Sequence, residues 1–262
     1  MIPDRIVFIL STGRTGTKSL AEGLAGEQIV SLHQPPFSRL LTIASNYYLH
    51  GWLPESALRW LVKRIRATQI LQSDCRCYIQ AFSLDHLPAK IISEQIPGVH
   101  IVHIVRDPRT FVPSYLNWMH TRFKSFIANK FIIGWQPSGY FTGEFSWNEW
   151  HKMDEFERVC WLWVYKNRML EKIFHNTDNY LQIYFEDLFL SKNKQTFDNL
   201  LSFIGVPNQV NLTHIFQHVK NRSKKTYIPP WEEWPSERQK RLSDICGEQM
   251  IHYGYIATDG VT

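Results

Sequence analysis

The sequence predicts an α/β fold: a single three-layer domain with a central parallel β-sheet, a P-loop-like phosphate-binding loop and flanking helices. Three observations support this prediction. Short apolar runs typical of buried strands recur along the chain, helical patterns lie between most of them, and a glycine-containing turn joins the first strand to the first helix. The 262 residues are enough for one large hydrophobic core, so we expect one domain over residues 1–262.

Each predicted strand is a short apolar run bounded by turn residues. The five predicted strands span Ile6–Leu10, Gln28–Leu32, Tyr78–Phe82, His100–Val105 and Tyr180–Tyr184. Apolar residues at helical spacing predict helices over residues 55–71, 109–120, 154–174, 189–204 and 236–252. Strands that alternate with helices in this way are typical of βαβ units, whose strands are parallel.

The segment 121–153 lacks this regularity. It is rich in Phe, Trp and Gly and has no clean hydrophobic period. We expect an insertion over one end of the sheet, because long segments of this kind often form lids or substrate walls.

Composition narrows the classes of partner. The net charge of +5 suits an anionic ligand, but no dense block of Lys and Arg is present, which argues against nucleic acid as a partner. The four cysteines include one Cys-x-Cys pair without a second pair, so we expect no metal site and a reducing compartment. No secretory leader or long apolar stretch is visible, and we therefore expect a soluble cytoplasmic protein without a transmembrane segment.

The turn after the first strand carries the strongest functional signal. It runs Ser11-Thr12-Gly13-Arg14-Thr15-Gly16-Thr17-Lys18-Ser19 and opens into a helical pattern. Glycines let backbone N–H groups turn inward towards an anion, and the helix directs its positive N-terminus at the same place. The turn therefore predicts a site for a phosphate or sulfate ester.

The spacing within this turn differs from that of the common nucleoside-triphosphate loop, G-x-x-x-x-G-K-[ST]. Lys18-Ser19 is present, but Thr17 and Thr12 stand where that pattern has its two glycines. The turn instead resembles the 5′-phosphosulfate loop of sulfotransferases, typically P-K-S-G-T-T. In that alignment Arg14 replaces the family lysine and Lys18 replaces a threonine. An arginine fork can still hold a phosphate or sulfate through two hydrogen bonds.

A second motif is similar to the same family. The stretch Ile101–Arg109 ends in Arg-Asp-Pro-Arg, and Ser114 follows eight positions after Arg106, as in the family's 3′-phosphate motif. Arg106 follows a buried strand at the edge where α/β sheets bind ligands. The alternative is that Arg106 makes a structural salt bridge with Asp107 or another carboxylate.

Two further stretches resemble the family less closely. Tyr184–Leu188 is similar to the Y-x-E-D-L motif at the end of a late strand, although Asp187 could simply cap a helix. Arg222 lies in a basic loop where the family often contacts the 3′-phosphate; the alternative is a solvated charged surface.

The resemblance implies a donor, 3′-phosphoadenosine 5′-phosphosulfate (PAPS), and no metal. The implied donor-binding residues are Gly13, Arg14, Thr15, Gly16, Thr17, Lys18, Ser19, Arg106, Ser114 and Arg222. In-line transfer of the sulfuryl group depends on positioning and charge neutralisation, by analogy with phosphoryl transfer. Arg14 and Lys18 would supply the charge in catalysis.

An acceptor hydroxyl, or in second place an amine, requires a general base. We expect His33 to be that base, because it follows the second strand at the ligand-binding edge and because family members carry a Glu or His in a comparable place. Asp85 or His86, after the third strand, is the alternative. His103 lies within an apolar strand and is expected to be a hydrogen-bonded core histidine.

The acceptor is not identified by the sequence beyond a small molecule or a glycan. Four tryptophans of the chain's middle part could form its pocket: Trp118, Trp135, Trp147 and Trp150. Two other functions stay open, namely a small-molecule kinase that uses a nucleoside triphosphate and a nucleotide-binding relative without turnover. Nothing in the sequence predicts the oligomeric state.

Overall fold

The computed structural model describes residues 2–121, 134–206 and 227–257. Five parallel strands form its central sheet in the order β2-β3-β1-β4-β5. Their bounds are β1 Arg5–Ser11, β2 Ile29–His33, β3 Cys77–Ala81, β4 Val99–Val105 and β5 Tyr180–Tyr184. The predicted α/β fold with a parallel sheet is thus confirmed, and the predicted strands match within one residue at each end.

The helices connect these strands and cover the sheet. They are α1 Thr17–Leu24, α2 Ser38–Leu49, α3 Glu55–Val62, α4 Thr68–Leu71, α5 His86–Gln95, α6 Pro108–Thr121, α7 Trp147–Lys152, α8 Glu155–Phe174, α9 Lys194–Ile204 and α10 Ser236–His252. A π-helical stretch, Lys63–Ala67, joins α3 to α4, so the helix predicted over 55–71 is continuous but locally wider than an α-helix.

Strand β1 shows how the layers form. Val7 and Ile9 pack on one face of the sheet with residues of α1 and α9. Phe8 and Leu10 pack on the opposite face with residues of α2, α3, α5 and α8. Because a strand of a parallel sheet is buried on both faces, β1 is an almost uninterrupted apolar run.

Helix α8 begins with a capping box. The Asp154 carboxylate accepts a hydrogen bond from the Glu157 N–H at 2.8 Å, and the Glu157 carboxylate accepts one from the Asp154 N–H at 2.8 Å. This reciprocal capping box satisfies two N–H groups that the helix itself leaves unpaired. From this helix, Lys166 reaches the loop that follows β1.

The helix predicted over 189–204 begins later than expected. A π-helical stretch, Glu186–Leu190, follows β5, and Lys192 then takes a positive φ of 50°. Asn193 caps α9 by accepting hydrogen bonds from Gln195 N–H and Thr196 N–H. Asn193, rather than Asp187, is therefore the capping residue, because the chain must turn before it can resume a helix.

The insertion expected over 121–153 is described from residue 134 onwards. The Asn46 side-chain amide donates to the Gly134 carbonyl at 2.6 Å, which fixes the start of this part against α2. A capping box between Ser146 and Glu149 then starts α7. Residues 122–133 of the insertion lie outside the described residues.

Candidate active site

The loop between β1 and α1 has the backbone shape that an anion site requires. Gly13, Arg14 and Gly16 all have positive φ angles, of 94°, 57° and 71°. Gly16 is the N-cap of α1, whose first turn contains no acidic residue. Successive left-handed turns create concave groups of N–H donors, and the N-terminus of α1 adds its positive dipole. The loop can therefore hold one phosphate or sulfate group.

Internal hydrogen bonds hold this loop in shape. Ser11 Oγ accepts a hydrogen bond from Thr15 Oγ1 at 2.8 Å and another from the Gly13 N–H at 3.1 Å. Lys166 Nζ, from α8, donates to the Thr12 carbonyl at 2.9 Å. Because the hydroxyl of Thr15 is buried and engaged in this way, Thr15 is available to a ligand through its backbone.

Gly16, the second glycine of the loop, is required by the close packing around it as well as by its positive φ angle. A Cβ at Gly16 would lie 2.5–2.9 Å from ring atoms of Phe189, which real structures do not tolerate. A Cβ at Gly13 would lie 3.3 Å from Ser83 Oγ, so the turn after β3 also approaches the loop closely. The loop is thus enclosed from the β3 side and from the side of the stretch after β5.

The two sequence motifs meet, although about ninety residues separate them. Arg14 Nε donates to Ser114 Oγ at 3.2 Å, and Arg106 Nη1 donates to the carbonyl of Arg14. Arg106 also donates from Nε to Thr110 Oγ1 at 3.0 Å, and its guanidinium lies 4.3 Å from the centre of the Phe185 ring. Burial is the main cause that lowers the pKa of Arg106 to about 10, so it stays charged at neutral pH.

The glutamate of the motif after β5 supports this junction. Glu186 accepts hydrogen bonds from the Asp107 N–H at 3.1 Å and from Tyr255 Oη at 3.0 Å. Asp107 in turn pairs with Arg109 at 2.6 Å. Asp107 therefore forms its salt bridge with Arg109, and not with Arg106 as the alternative interpretation of Arg106 had it.

Lys18 lies in the first turn of α1 and His33 ends β2, and the two side chains interact electrostatically. Lys18 Nζ is 3.8 Å from Glu22 Oε1, and 40% of its side chain is exposed. His33 ends β2, where it pairs in register with Ala81. Burial, followed by the positive charge of Lys18, lowers the pKa of His33 below its usual 6.5. His33 is therefore uncharged at neutral pH and able to accept a proton.

The two alternative bases after β3 differ from each other in their surroundings. Asp85 is buried, accepts a hydrogen bond from the Gln80 amide and lies 3.5 Å from Arg66 Nη2. Burial raises its pKa to about 6. His86 is buried with Nε2 lacking a partner among the described residues, and burial and then Lys166 lower its pKa to about 4. Asp85 Oδ2 is thus engaged within the protein, whereas Asp85 Oδ1, like His86 Nε2, has no hydrogen-bond partner among the described residues.

The tryptophans predicted to line an acceptor pocket take different places. The Trp135 ring lies 4.6 Å from the Arg39 guanidinium, beside Phe82. Trp150 packs on Trp161, and 57% of Trp147 is exposed to solvent. Trp118 packs near Tyr115, the residue that follows Ser114. Of the four, Trp135 and Trp118 therefore lie near residues of the site.

His103 is a hydrogen-bonded core histidine, as expected. Its ring contacts Tyr180 Oη at 2.7 Å and Asn167 Oδ1 at 3.0 Å, and burial lowers its pKa to about 4. Arg222 lies outside the described residues, so its predicted contact with a 3′-phosphate stays a prediction.

Two cations near the loop were not predicted from the sequence. Lys166 is buried, and its pKa is lowered to about 7, mainly by burial and secondly by Arg39. A signal for Lys166 was present, since it falls three residues after Trp163 on the apolar face of a helix. Arg39 follows a proline-rich turn, and only the tertiary contacts with Phe82 and Trp135 single it out.

Neither a candidate metal site nor a membrane-spanning helix is present in the described ranges, 2–121, 134–206 and 227–257. They contain no group of three or more His, Cys, Asp or Glu side chains placed to hold a metal ion. Within these same ranges, every helix is too short or too polar to cross a membrane.

Comparisons with solved structures show the fold. A sulfotransferase domain from the curacin biosynthetic pathway has a TM-score of 0.51 at 18% identity, over 92% of this chain and 97% of that one. A sulfotransferase from Alicyclobacillus acidocaldarius has a TM-score of 0.50 at 14% identity, over 96% and 94%. The mouse sulfotransferase SULT7A1, complexed with PAP, has a TM-score of 0.50 at 15% identity, over 94% and 85%.

Comparisons of sequence give the family. A search of curated protein sequences found no significant match. The family model for the sulfotransferase domain, however, matches residues 4–241, which is nearly the whole chain. Together with the parallel sheet and the two meeting motifs, this match identifies the chain as a member of the sulfotransferase domain family.

Proposed function

We propose that this protein transfers the sulfuryl group of PAPS to a hydroxyl group, or in second place an amine, of a small molecule or glycan. The observation that carries the proposal is the junction of Arg14, Arg106 and Ser114. Through these contacts the loop after β1, which suits one anion, lies next to a second cationic side chain, that of Arg106. A donor with phosphates at both the 5′ and 3′ positions requires two such anion sites. The complex of mouse SULT7A1 with PAP supports the same donor.

The residues present fit such a donor. The left-handed loop and the N-terminus of α1 would hold the 5′-phosphosulfate, with backbone groups from Gly13 to Ser19. Arg106 uses one N–H of each guanidinium nitrogen within the protein, so its Nη1 and Nη2 each keep one N–H for a 3′-phosphate. Ser114, held by Arg14, would be the second donor to that phosphate.

In this proposal the acceptor oxygen attacks sulfur in line with the leaving phosphate. An oxygen–sulfur bond forms, the bond from sulfur to the bridging oxygen of the 5′-phosphate breaks, and adenosine 3′,5′-bisphosphate (PAP) leaves. Arg14 and Lys18 would neutralise the charge that develops on the sulfuryl group and on the leaving oxygen. The acceptor's proton goes to a general base of this chain.

We propose that a neutral imidazole is this base, either His33 or His86. Two observations favour His33: it lies at the end of β2, and it interacts electrostatically with Lys18. His86 is the second candidate because its buried Nε2 has no partner among the described residues and because it lies near Lys166, which contacts the loop.

The other functions predict different ligands. A small-molecule kinase should bind ATP with magnesium in this loop, but Thr12 and Thr17 stand where a triphosphate loop has glycines. A relative without turnover should bind PAP and yield no sulfated product. The donor therefore has to be tested by binding and by product formation together.

Saturation with PAP should stabilise the folded protein without magnesium. At a concentration of 100 times Kd, a ligand of the native state adds about 2.7 kcal/mol to the unfolding free energy, which corresponds to a rise in Tm of about 5–10 °C for a chain of this size. Differential scanning fluorimetry with PAP, PAPS and ATP, each with and without magnesium, measures this shift. A shift produced by ATP with magnesium and not by PAP would contradict the proposed function.

A further inference from the structure

A second cationic feature lies beside the loop, on the first turn of α2. The guanidinium of Arg39 lies 4.6 Å from the centre of the Trp135 ring and 5.5 Å from that of Phe82. Planar guanidinium groups stack favourably on aromatic faces, and the stacking leaves their N–H edge available for in-plane hydrogen bonds. The two rings therefore hold the Arg39 fork in a defined orientation.

The charge of Arg39 is not neutralised within the described part of the protein. Its Nη1 is buried and has no hydrogen-bond partner there, and no carboxylate of those residues forms a salt bridge with Arg39. Burial is the main cause that lowers its pKa. Arg39 as a whole is half-buried. A buried N–H without a partner is costly, so we expect Nη1 to gain its partner from a ligand.

The neighbouring arginine, Arg66, has partners for both of its terminal nitrogens within the protein, and its Nε lacks one among the described residues. Arg66 donates to the Pro36 carbonyl at 2.9 Å, to Ser38 Oγ at 2.5 Å and to the Gln69 side chain at 2.6 Å, and it lies 3.5 Å from Asp85. Asp85 is the carboxylate that acts electrostatically on Arg39, but Arg66 and Gln80 already engage it. Asp85 Oδ2 is thus engaged by other groups. Asp85 Oδ1 has no hydrogen-bond partner among the described residues, and no ion pair joins it to Arg39 there.

Arg39 also belongs to a line of positive charge that leads to the loop. The charge of Arg39 lowers the pKa of Lys166, and Lys166 donates to the Thr12 carbonyl. Tyr115, next to Ser114, interacts electrostatically with both Arg39 and Arg14. Arg39 therefore lies one side chain away from the residues that would hold the transferring group, on the side of the aromatic segment after residue 134.

We propose that Arg39 binds a carboxylate on the acceptor, so that the preferred acceptor is a hydroxy acid whose body packs against Trp135. This inference rests on the proposed function, because it assigns one substrate class to the same site. A carboxylate is planar and matches the Arg39 fork through two parallel hydrogen bonds. It also supplies the negative charge that this side of the site lacks.

The test compares acids with their esters on PAP-saturated protein. The probes are para-hydroxyphenylacetate and an ω-hydroxy fatty acid, each beside its methyl ester, titrated by calorimetry. We expect at least one acid to bind about 10- to 100-fold more tightly than its ester, the range for a charge-assisted contact. Arg39→Gln should remove this preference, Arg39→Lys should restore part of it, and the exposed control Arg64→Gln should keep it.

Three other outcomes would contradict either the carboxylate site at Arg39 or the proposed function. Equal binding of acid and ester to the wild type, or binding of no acid at all, overturns the proposal. If Arg39→Gln instead weakens PAPS while PAP affinity is unchanged, the anion that Arg39 holds is the donor's sulfuryl group, and the proposal is again overturned. Failure of the wild type to bind PAP would contradict the proposed function itself, before any acid is added.

Discussion

Replacing Lys18 by methionine should lower kcat about 100- to 1,000-fold, the typical loss when one preorganised group that stabilises transition-state charge is removed. Lys18 lies in the first turn of α1, directly after the loop. Its partner within the protein, Glu22, is 3.8 Å away on a partly exposed surface, so Lys18 contributes little to the fold. Loss of this pair should change the unfolding free energy by less than about 1 kcal/mol.

The measurement is transfer of radiolabelled sulfate from PAPS to the best acceptor found among hydroxyl compounds, with Tm recorded in parallel. Lys152→Met is the matched control, because Lys152 is an exposed helical lysine far along the chain in α7. We expect the control to keep the activity and both variants to keep the wild-type Tm. A Lys18→Met enzyme with undiminished kcat would remove Lys18 from the mechanism.

Removing the general base should reduce kcat about 100- to 10,000-fold. His33→Gln and His86→Gln are the two variants, and the proposal expects one large loss and one small one. His33 is partly exposed, so its replacement should leave Tm nearly unchanged, whereas Tm must be checked for the buried His86. Small losses in both variants would contradict an imidazole base.

The pH profile separates the two histidines independently of mutation. A base must be unprotonated to act, so kcat/KM rises with pH up to the pKa of the base and is level above it. For His33 the rise should be centred below 6.5, because burial and Lys18 lower its pKa. For His86 it should be centred near 4. A rise centred well above 6.5 fits neither residue.

The sheet and the loop after β1 could be predicted because local sequence determines them. The strand Ile6–Leu10 is apolar throughout since β1 is buried on both faces, and Gly16 is needed both for its positive φ and for the approach of Phe189. The spacing of Arg106 and Ser114 predicted that the two residues lie close together, and Arg14 contacts both. These features are encoded within short segments of sequence.

Other features depend on contacts between distant segments. In the sequence nothing distinguishes Arg39 from the other arginines. Its environment is set by Phe82 and Trp135, which lie 43 and 96 positions away in the sequence. The late start of α9 follows from the positive φ at Lys192, which helix periodicity does not reveal. The sequence offered Asp85 as an alternative base, and it did not reveal that Arg66 reaches this carboxylate from another helical segment.

The most direct test of the two-anion donor site is a calorimetric comparison of PAP with adenosine 5′-monophosphate, which lacks only the 3′-phosphate. We expect PAP to bind wild-type protein about 100-fold more tightly, and Arg106→Gln to remove most of that difference while the monophosphate affinity changes little. Equal affinity of the wild type for the two nucleotides, or a preference for PAP that survives in Arg106→Gln, would contradict the account.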